Sequence, residues 1–209
     1  GLNAVDLPLL ERRLRSDANA DVRIAALQSI TQLSNKRGVQ MARRSLGHRD
    51  GALVSRAAGI LGDHGTLEVV GRLIGFEVRK RARNAGFRAA ARIIQRADEG
   101  PAQEAAMARM TTVLIGLLDD LDVRARQTAV SLLGSVGDKN AIPHLEAFRR
   151  VETVQGLPEQ ARKSIQSIRG RKDKVEPLAE ENAHEARMKA LEDRIKDLEG
   201  KVKAYEAKQ

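Results

Sequence analysis

The densest group of chemically capable side chains is a run of arginines between residues 76 and 97, where Glu77 is the only acidic residue. A guanidinium group carries a planar fork of N–H donors that fits a carboxylate or a phosphate through two parallel hydrogen bonds. The run is therefore a candidate binding surface for an acidic partner. Its members are Arg79, Arg81, Arg83, Arg88, Arg92 and Arg96.

Helical spacing arranges this run around an apolar stripe. If Val78, Ala82, Ala85, Ala89 and Ile93 are buried, Arg81, Arg88 and Arg92 follow one exposed side of the helix. The competing interpretation is a solvated face whose charges pair with acidic residues of neighbouring segments.

Catalytic and metal-binding patterns are missing from the sequence. The chain has no cysteine, and none of its four histidines has a metal-ligand partner at helical spacing. It also lacks a nucleophile elbow and a phosphate-binding glycine loop. The carboxylates of Asp119, Asp120 and Asp122 are expected to cap the following helix. We expect no catalytic site, no cofactor and no metal in these residues.

A short pattern recurs five times and predicts the helices that carry these side chains. An alanine is followed four residues later by Leu or Ile, and the alanines are 31, 33, 39 and 32 residues apart. Such spacing places the side chains on one helical face, where alanine permits close helix packing. The five leading residues are Ala26, Ala57, Ala90, Ala129 and Ala161.

An amphipathic segment precedes each copy, and turn residues follow it, so each copy predicts the inner helix of a helical hairpin. No segment has the alternation of a β-strand, and a core with only three Phe, one Tyr and no Trp suits closely packed helices. The predicted fold class is all-α: a solenoid of about five hairpins.

Two segments resemble HEAT-like repeats, in which a Val-Arg pair opens the inner helix. They are Asp21-Val22-Arg23 with Ala26, and Asp122-Val123-Arg124 followed by Ala129. The resemblance implies an α-solenoid whose inner helices line a concave surface, and partners that differ widely within the family.

A second resemblance involves Ala129–Gly134 and Ala141–Glu146, followed by a basic repeat end and a short heptad tail. These residues resemble the C-terminal HEAT-like region of bacterial zinc aminopeptidases of the gluzincin class. That resemblance implies a region covering a catalytic domain, but the family's zinc-binding and amine-binding motifs match no position here.

The C-terminal segment has a different pattern, a heptad-like alternation framed by Glu and Lys pairs. It predicts an amphipathic, coiled-coil-like helix that either dimerises or binds a partner, or else folds back as a cap. The candidate oligomerisation residues are Met188, Leu191, Ile195, Leu198, Val202 and Tyr205.

The predicted organisation is a repeat solenoid over 1–172, a linker over 173–178 and a C-terminal helix over 179–209. Basic charge belongs to the repeats: residues 1–175 have a net charge of +11 and residues 176–209 a net charge of −2, which gives +9 for the chain. We expect a non-catalytic binding or scaffold module that recognises an acidic protein surface, a peptide or another domain of the same polypeptide. The alternative is a nucleic-acid-binding repeat protein. No membrane span is expected, and the compartment stays open.

Overall fold

The computed structural model describes residues 4–171, together with Met188 and Lys189. Residues 1–168 form one compact unit, and residues 169–209 form a second one. Within the described residues all regular structure is helical, as the sequence predicts. The helices are α1 (Leu7–Ser16), α2 (Ala20–Leu33), α3 (Asn35–Ser45), α4 (Gly51–His64), α5 (Val70–Leu73), α6 (Phe76–Arg96), α7 (Pro101–Ile115), α8 (Val123–Val136), α9 (Ala141–Val151) and α10 (157–171).

The helices of the first unit form consecutive antiparallel hairpins, and the even-numbered helices are the predicted inner helices. The five repeated alanines lie in α2, α4, α6, α8 and α10, and all of them are buried. Neighbouring inner helices α2, α4, α6 and α8 pack against one another in chain order. This arrangement is an all-α solenoid.

Short polar side chains set the starts of several inner helices. Asn19, Asp50 and Asp122 each precede an inner helix, and their side chains accept hydrogen bonds from its first backbone N–H groups. These groups have no partner within the helix, so an N-cap stabilises the helix by about 1 kcal/mol. The predicted capping role of Asp122 is therefore observed.

The third hairpin departs from the regular pattern. Its outer arm is only a 3₁₀ turn, Leu67–Val69, followed by the four-residue α5, whereas its inner helix α6 is 21 residues long. Ala82 interrupts α6 with non-helical backbone angles, φ −149° and ψ 44°. The segment before this kink packs on the first turn of α4, because a Cβ added to Gly51 would lie 2.8 Å from the Arg81 carbonyl oxygen.

Small residues let consecutive inner helices approach closely. A Cβ added to Gly62 of α4 would lie 2.9 Å from the Ala89 Cα of α6. On α8, a Cβ at Gly134 would lie 2.9 Å from the Ser164 Cβ. The Ser164 hydroxyl donates to the Val130 carbonyl at 2.8 Å. The inner helices consequently present a continuous layer to one side of the unit.

Candidate functional site

The kink at Ala82 divides the predicted arginine surface. Arg79 and Arg81 lie before the kink, and Arg83, Arg88, Arg92 and Arg96 lie after it. The six side chains therefore do not follow one straight helix face.

Three of these arginines form ion pairs with acidic residues of the same chain. Arg83 contacts Asp120 at 2.9 Å and Asp122 at 3.0 Å, both in the next repeat. Arg92 contacts Asp63 at 2.8 Å, and Arg81 pairs with Glu77 one turn earlier in α6. Much of their charge is therefore neutralised within the protein.

Arg96 binds backbone instead of a carboxylate. Its guanidinium donates to the carbonyl oxygens of Gly62 and Gly65, each at 2.9 Å. These carbonyls lie at the C-terminal end of α4, where helix carbonyls lack intrahelical partners and cations are favoured. Arg96 thus joins the third repeat to the second.

The remaining two members of the run, Arg79 and Arg88, differ from these four. Arg79 is half-buried, and its Nε is a buried donor without a hydrogen-bond partner. Arg88 is exposed, and among the described residues its guanidinium forms no hydrogen bond or ion pair. Arg88 is the predicted residue best placed to bind a partner.

Arg88 lines a groove on the inner-helix face together with an arginine that the sequence analysis did not select. The groove has a volume of about 370 Å³, and Arg124 of α8 is the second arginine in its lining. No hydrogen bond or ion pair of the Arg124 guanidinium occurs within the described part of the chain. We call this cavity the Arg88–Arg124 groove; its lining residues are Asn84, Arg88, Arg124, Gln127, Thr128, Ser131, Leu132 and Gln160.

The lining of the Arg88–Arg124 groove contains no carboxylate. A second cavity of about 520 Å³ adjoins it, since Arg88 and Leu132 line both. Small and apolar residues form much of the second lining, including Gly59, Ala85 and Ala91. The inner-helix face therefore has a cationic, polar groove next to a more apolar one.

Two further arginines, Arg23 and Arg126, connect neighbouring repeats, and their contacts are of the same kind. Arg23 donates to the carbonyl oxygens of Asp17 and Ala18, and pairs with Asp50 of the next repeat at 2.7 Å. Arg126 donates likewise to Asp120 and Leu121, and pairs with Glu152 at 2.7 Å. We call Arg23, Arg83 and Arg126 the inter-repeat clamps. Arg23 is the arginine of the Val22-Arg23 pair that opens the first inner helix. Arg126 lies two residues after Arg124, the arginine of the Val123-Arg124 pair.

Two acids bound by the clamps, Asp50 and Glu152, have pKa values below their ordinary ones. Hydrogen bonds from the Val154 N–H and from Arg126 lower the pKa of Glu152. Burial works to raise the pKa of Asp50, but hydrogen bonds from Arg23 and from two backbone N–H groups outweigh it and lower that pKa. Both carboxylates are thus held ionised.

The sequence analysis also concerned metal sites, membrane spans, the C-terminal helix and the linker. Among the described residues no cluster of three or more His, Asp or Glu could hold a metal ion. No described helix has the length and apolarity needed to cross a bilayer. Met188 is helical and exposed, whereas the other predicted oligomerisation residues, Leu191, Ile195, Leu198, Val202 and Tyr205, lie outside the described residues. The predicted linker over 173–178 also lies outside them.

Comparison with known proteins agrees with the hairpin architecture. A family model described as HEAT repeat matches residues 7–36, which comprise α1, α2 and the start of α3. The match and the helical fold support a HEAT-like repeat family. A search of curated proteins finds no match. The resemblance to zinc aminopeptidases has no support from these comparisons.

Proposed function

We propose that this HEAT-like protein is a non-catalytic binding or scaffold module that recognises an acidic protein surface or peptide through the Arg88–Arg124 groove. HEAT-like solenoids commonly serve protein–protein interaction, with extended surfaces built from successive repeats. The partner could equally be another domain of the same polypeptide.

One observation carries this proposal: a groove without a carboxylate in its lining is lined by two arginines, and their guanidinium groups form no hydrogen bond or ion pair with any described residue. Arg83 and Arg92, a short distance along α6, have internal acids instead. An anionic side chain entering the groove would gain charge-assisted hydrogen bonds without displacing an existing pair. This difference between paired and unpaired arginines favours binding at the groove over binding along a uniformly basic face.

The finer hypothesis makes this module the C-terminal region of a zinc aminopeptidase. It rests on the resemblance of residues 129–146 to the C-terminal region of those enzymes. The sequence of the full gene product tests it. A zinc-binding H-E-x-x-H helix with a downstream Glu would support the hypothesis; its absence would contradict it.

Binding to a degenerate, fluorescein-labelled pool of Glu-rich peptides tests the proposed function. Fluorescence anisotropy should show an affinity that falls with salt. The double variant Arg88→Gln/Arg124→Gln should weaken binding by about ten-fold or more, since each lost charge-assisted bond contributes about 1.5–3 kcal/mol. Equal binding by this variant and the wild type would overturn the proposal.

The matched control removes the same charge from the outer helices. Arg109 of α7 and Arg150 of α9 are exposed and form no internal ion pair among the described residues. Arg109→Gln/Arg150→Gln should bind the peptides almost as tightly as the wild type. A parallel titration with duplex DNA tests the nucleic-acid alternative, which the net charge of +11 on residues 1–175 favours.

A further inference from the structure

Hydrogen-bond donors of several kinds line the Arg88–Arg124 groove. We infer, on the basis of the proposed function, that it binds a phosphorylated side chain of a partner polypeptide in preference to an Asp or Glu side chain.

Donors converge on this groove from three inner helices. Asn84 and Arg88 are one turn apart on α6, and Arg124, Thr128 and Ser131 recur on one face of α8. Amides of Asn84, Gln127 and Gln160 add neutral donors to the two guanidinium forks. The Thr128 hydroxyl is already used, because it donates to the Arg124 carbonyl at 2.8 Å.

Phosphate and carboxylate groups differ in the number of guanidinium groups that they can bind at once. A carboxylate has two oxygens, and a single arginine satisfies both in a bidentate pair. A phosphate monoester presents three oxygens and about −1.5 to −2 charges at neutral pH, so it can engage two forks together. With a carboxylate bound to one arginine, the second guanidinium would keep its charge uncompensated, because the groove has no acid of its own.

The surroundings favour a polypeptide over a nucleic acid as the source of the phosphate. A nucleic-acid backbone needs successive cations along its path, but Arg83 and Arg92 beside the groove are paired with Asp120, Asp122 and Asp63. Ala85, Ala91 and Leu132 contribute to the lining of the adjoining cavity and suit an apolar side chain. One phosphate next to an apolar residue is a pattern that a phosphopeptide can supply.

Three degenerate peptide pools that differ only at a fixed central residue test this inference. The central residue is phosphoserine, Glu or Ser, and binding to the full chain is measured by anisotropy. We expect the phosphoserine pool to bind about ten-fold more tightly than the Glu pool, a difference of about 1.4 kcal/mol. Arg88→Gln and Arg124→Gln should each remove most of this preference, whereas Arg109→Gln/Arg150→Gln should retain it.

The other outcomes separate this inference from the proposed function. Equal affinity for the phosphoserine and Glu pools, lost in Arg88→Gln/Arg124→Gln, would overturn the phosphate preference but leave the acidic-peptide function standing. Failure of both acidic pools to exceed the Ser pool would overturn both. Tighter binding of duplex DNA that also depends on Arg88 and Arg124 would replace the polypeptide with a nucleic acid. Circular dichroism of each variant checks that it folds.

Discussion

The arginines of this protein differ in whether their guanidinium groups have an internal carboxylate partner among the described residues. Arg23, Arg83 and Arg126 each bind a carboxylate of the next repeat, whereas Arg88 and Arg124 have no internal partner among the described residues. Residue type and helical position alone do not separate the two groups. The acid that neutralises a clamp lies 26 to 39 residues away in sequence.

Replacing Arg126 with alanine tests the contribution of a clamp to stability. The Glu152 side chain is only 5% exposed, so this substitution leaves a largely buried carboxylate without its cation. We expect the free energy of unfolding to fall by about 2 kcal/mol, measured by urea denaturation.

Arg124→Ala, two residues earlier on α8, is the matched control for this measurement. Its guanidinium forms no hydrogen bond or ion pair with a described residue, so the unfolding free energy should change by less than about 0.5 kcal/mol. Equal losses in the two variants would contradict the distinction between clamp and free arginines.

Acidification should weaken the ion pairs that Arg23 and Arg126 form with Asp50 and Glu152. The pKa values of Asp50 and Glu152 are lower in the folded protein than their ordinary values of 3.8 and 4.5. The unfolded chain therefore binds more protons in this range, so this stabilisation is complete above the ordinary values and is lost as the pH falls through the folded-state pKa values.

Urea denaturation at a series of pH values measures this effect. The unfolding free energy should be level above about pH 5 and fall below it, less steeply for Arg126→Ala because Glu152 then loses one cause of its lowered pKa. A wild-type stability that rises on acidification from pH 5 would contradict this prediction.

At the scale of helices, close approach between inner helices depends on where alanine and glycine lie. Gly62 and Gly59 both belong to α4, but only Gly62 faces the α6 backbone. Gly62→Ala places a methyl group 2.9 Å from the Ala89 Cα and should lower the free energy of unfolding by about 1–3 kcal/mol. Thermal and urea denaturation would measure this loss.

Gly59→Ala provides the control on the same helix. Nothing lies within 4 Å of its added Cβ, and alanine favours helix over glycine, so the free energy of unfolding should rise by up to about 1 kcal/mol. Destabilisation of both variants to the same degree would show that the packing of α4 and α6 does not determine the effect.

The sequence predicts the hairpins well because their signal is local. Ala26 and Ile30, or Ala129 and Leu133, are one turn apart, and their burial follows directly from helical spacing. The kink at Ala82 is not visible in the same pattern, because Val78 and Ala82 keep the apolar spacing through it. α4 likewise continues through Gly62 and Asp63 to His64, although Gly and Asp are common in turns.

The Arg88–Arg124 groove is only partly predictable for a related reason. The arginine density of α6 identifies Arg88, but Arg124 belongs to a segment that reads as a repeat opening. Only the packing of α6 beside α8 brings the two into one groove. Paired and unpaired arginines likewise become distinct only when the acids of the next repeat are in place.

For the whole molecule, the basic repeats and the acidic C-terminal segment carry opposite net charges. Dimerisation is one of the two interpretations of the heptad pattern from Met188 to Tyr205. Deletion of residues 178–209 should then convert a dimer to a monomer, as measured by light scattering. A monomer at both lengths would favour the alternative in which this segment caps the protein or binds a different partner.

The inter-repeat clamps also limit how freely repeats can be exchanged. Asp50 and Asp122 each cap their own inner helix and bind the arginine of the preceding repeat, so one side chain serves two repeats at once. The second and third repeats are instead connected at the C-terminal ends of their inner helices, where Arg92 and Arg96 of α6 bind the end of α4. A duplicated or transplanted repeat would therefore place a cation opposite the wrong neighbour, and this solenoid should tolerate point changes on its surface better than changes in repeat order.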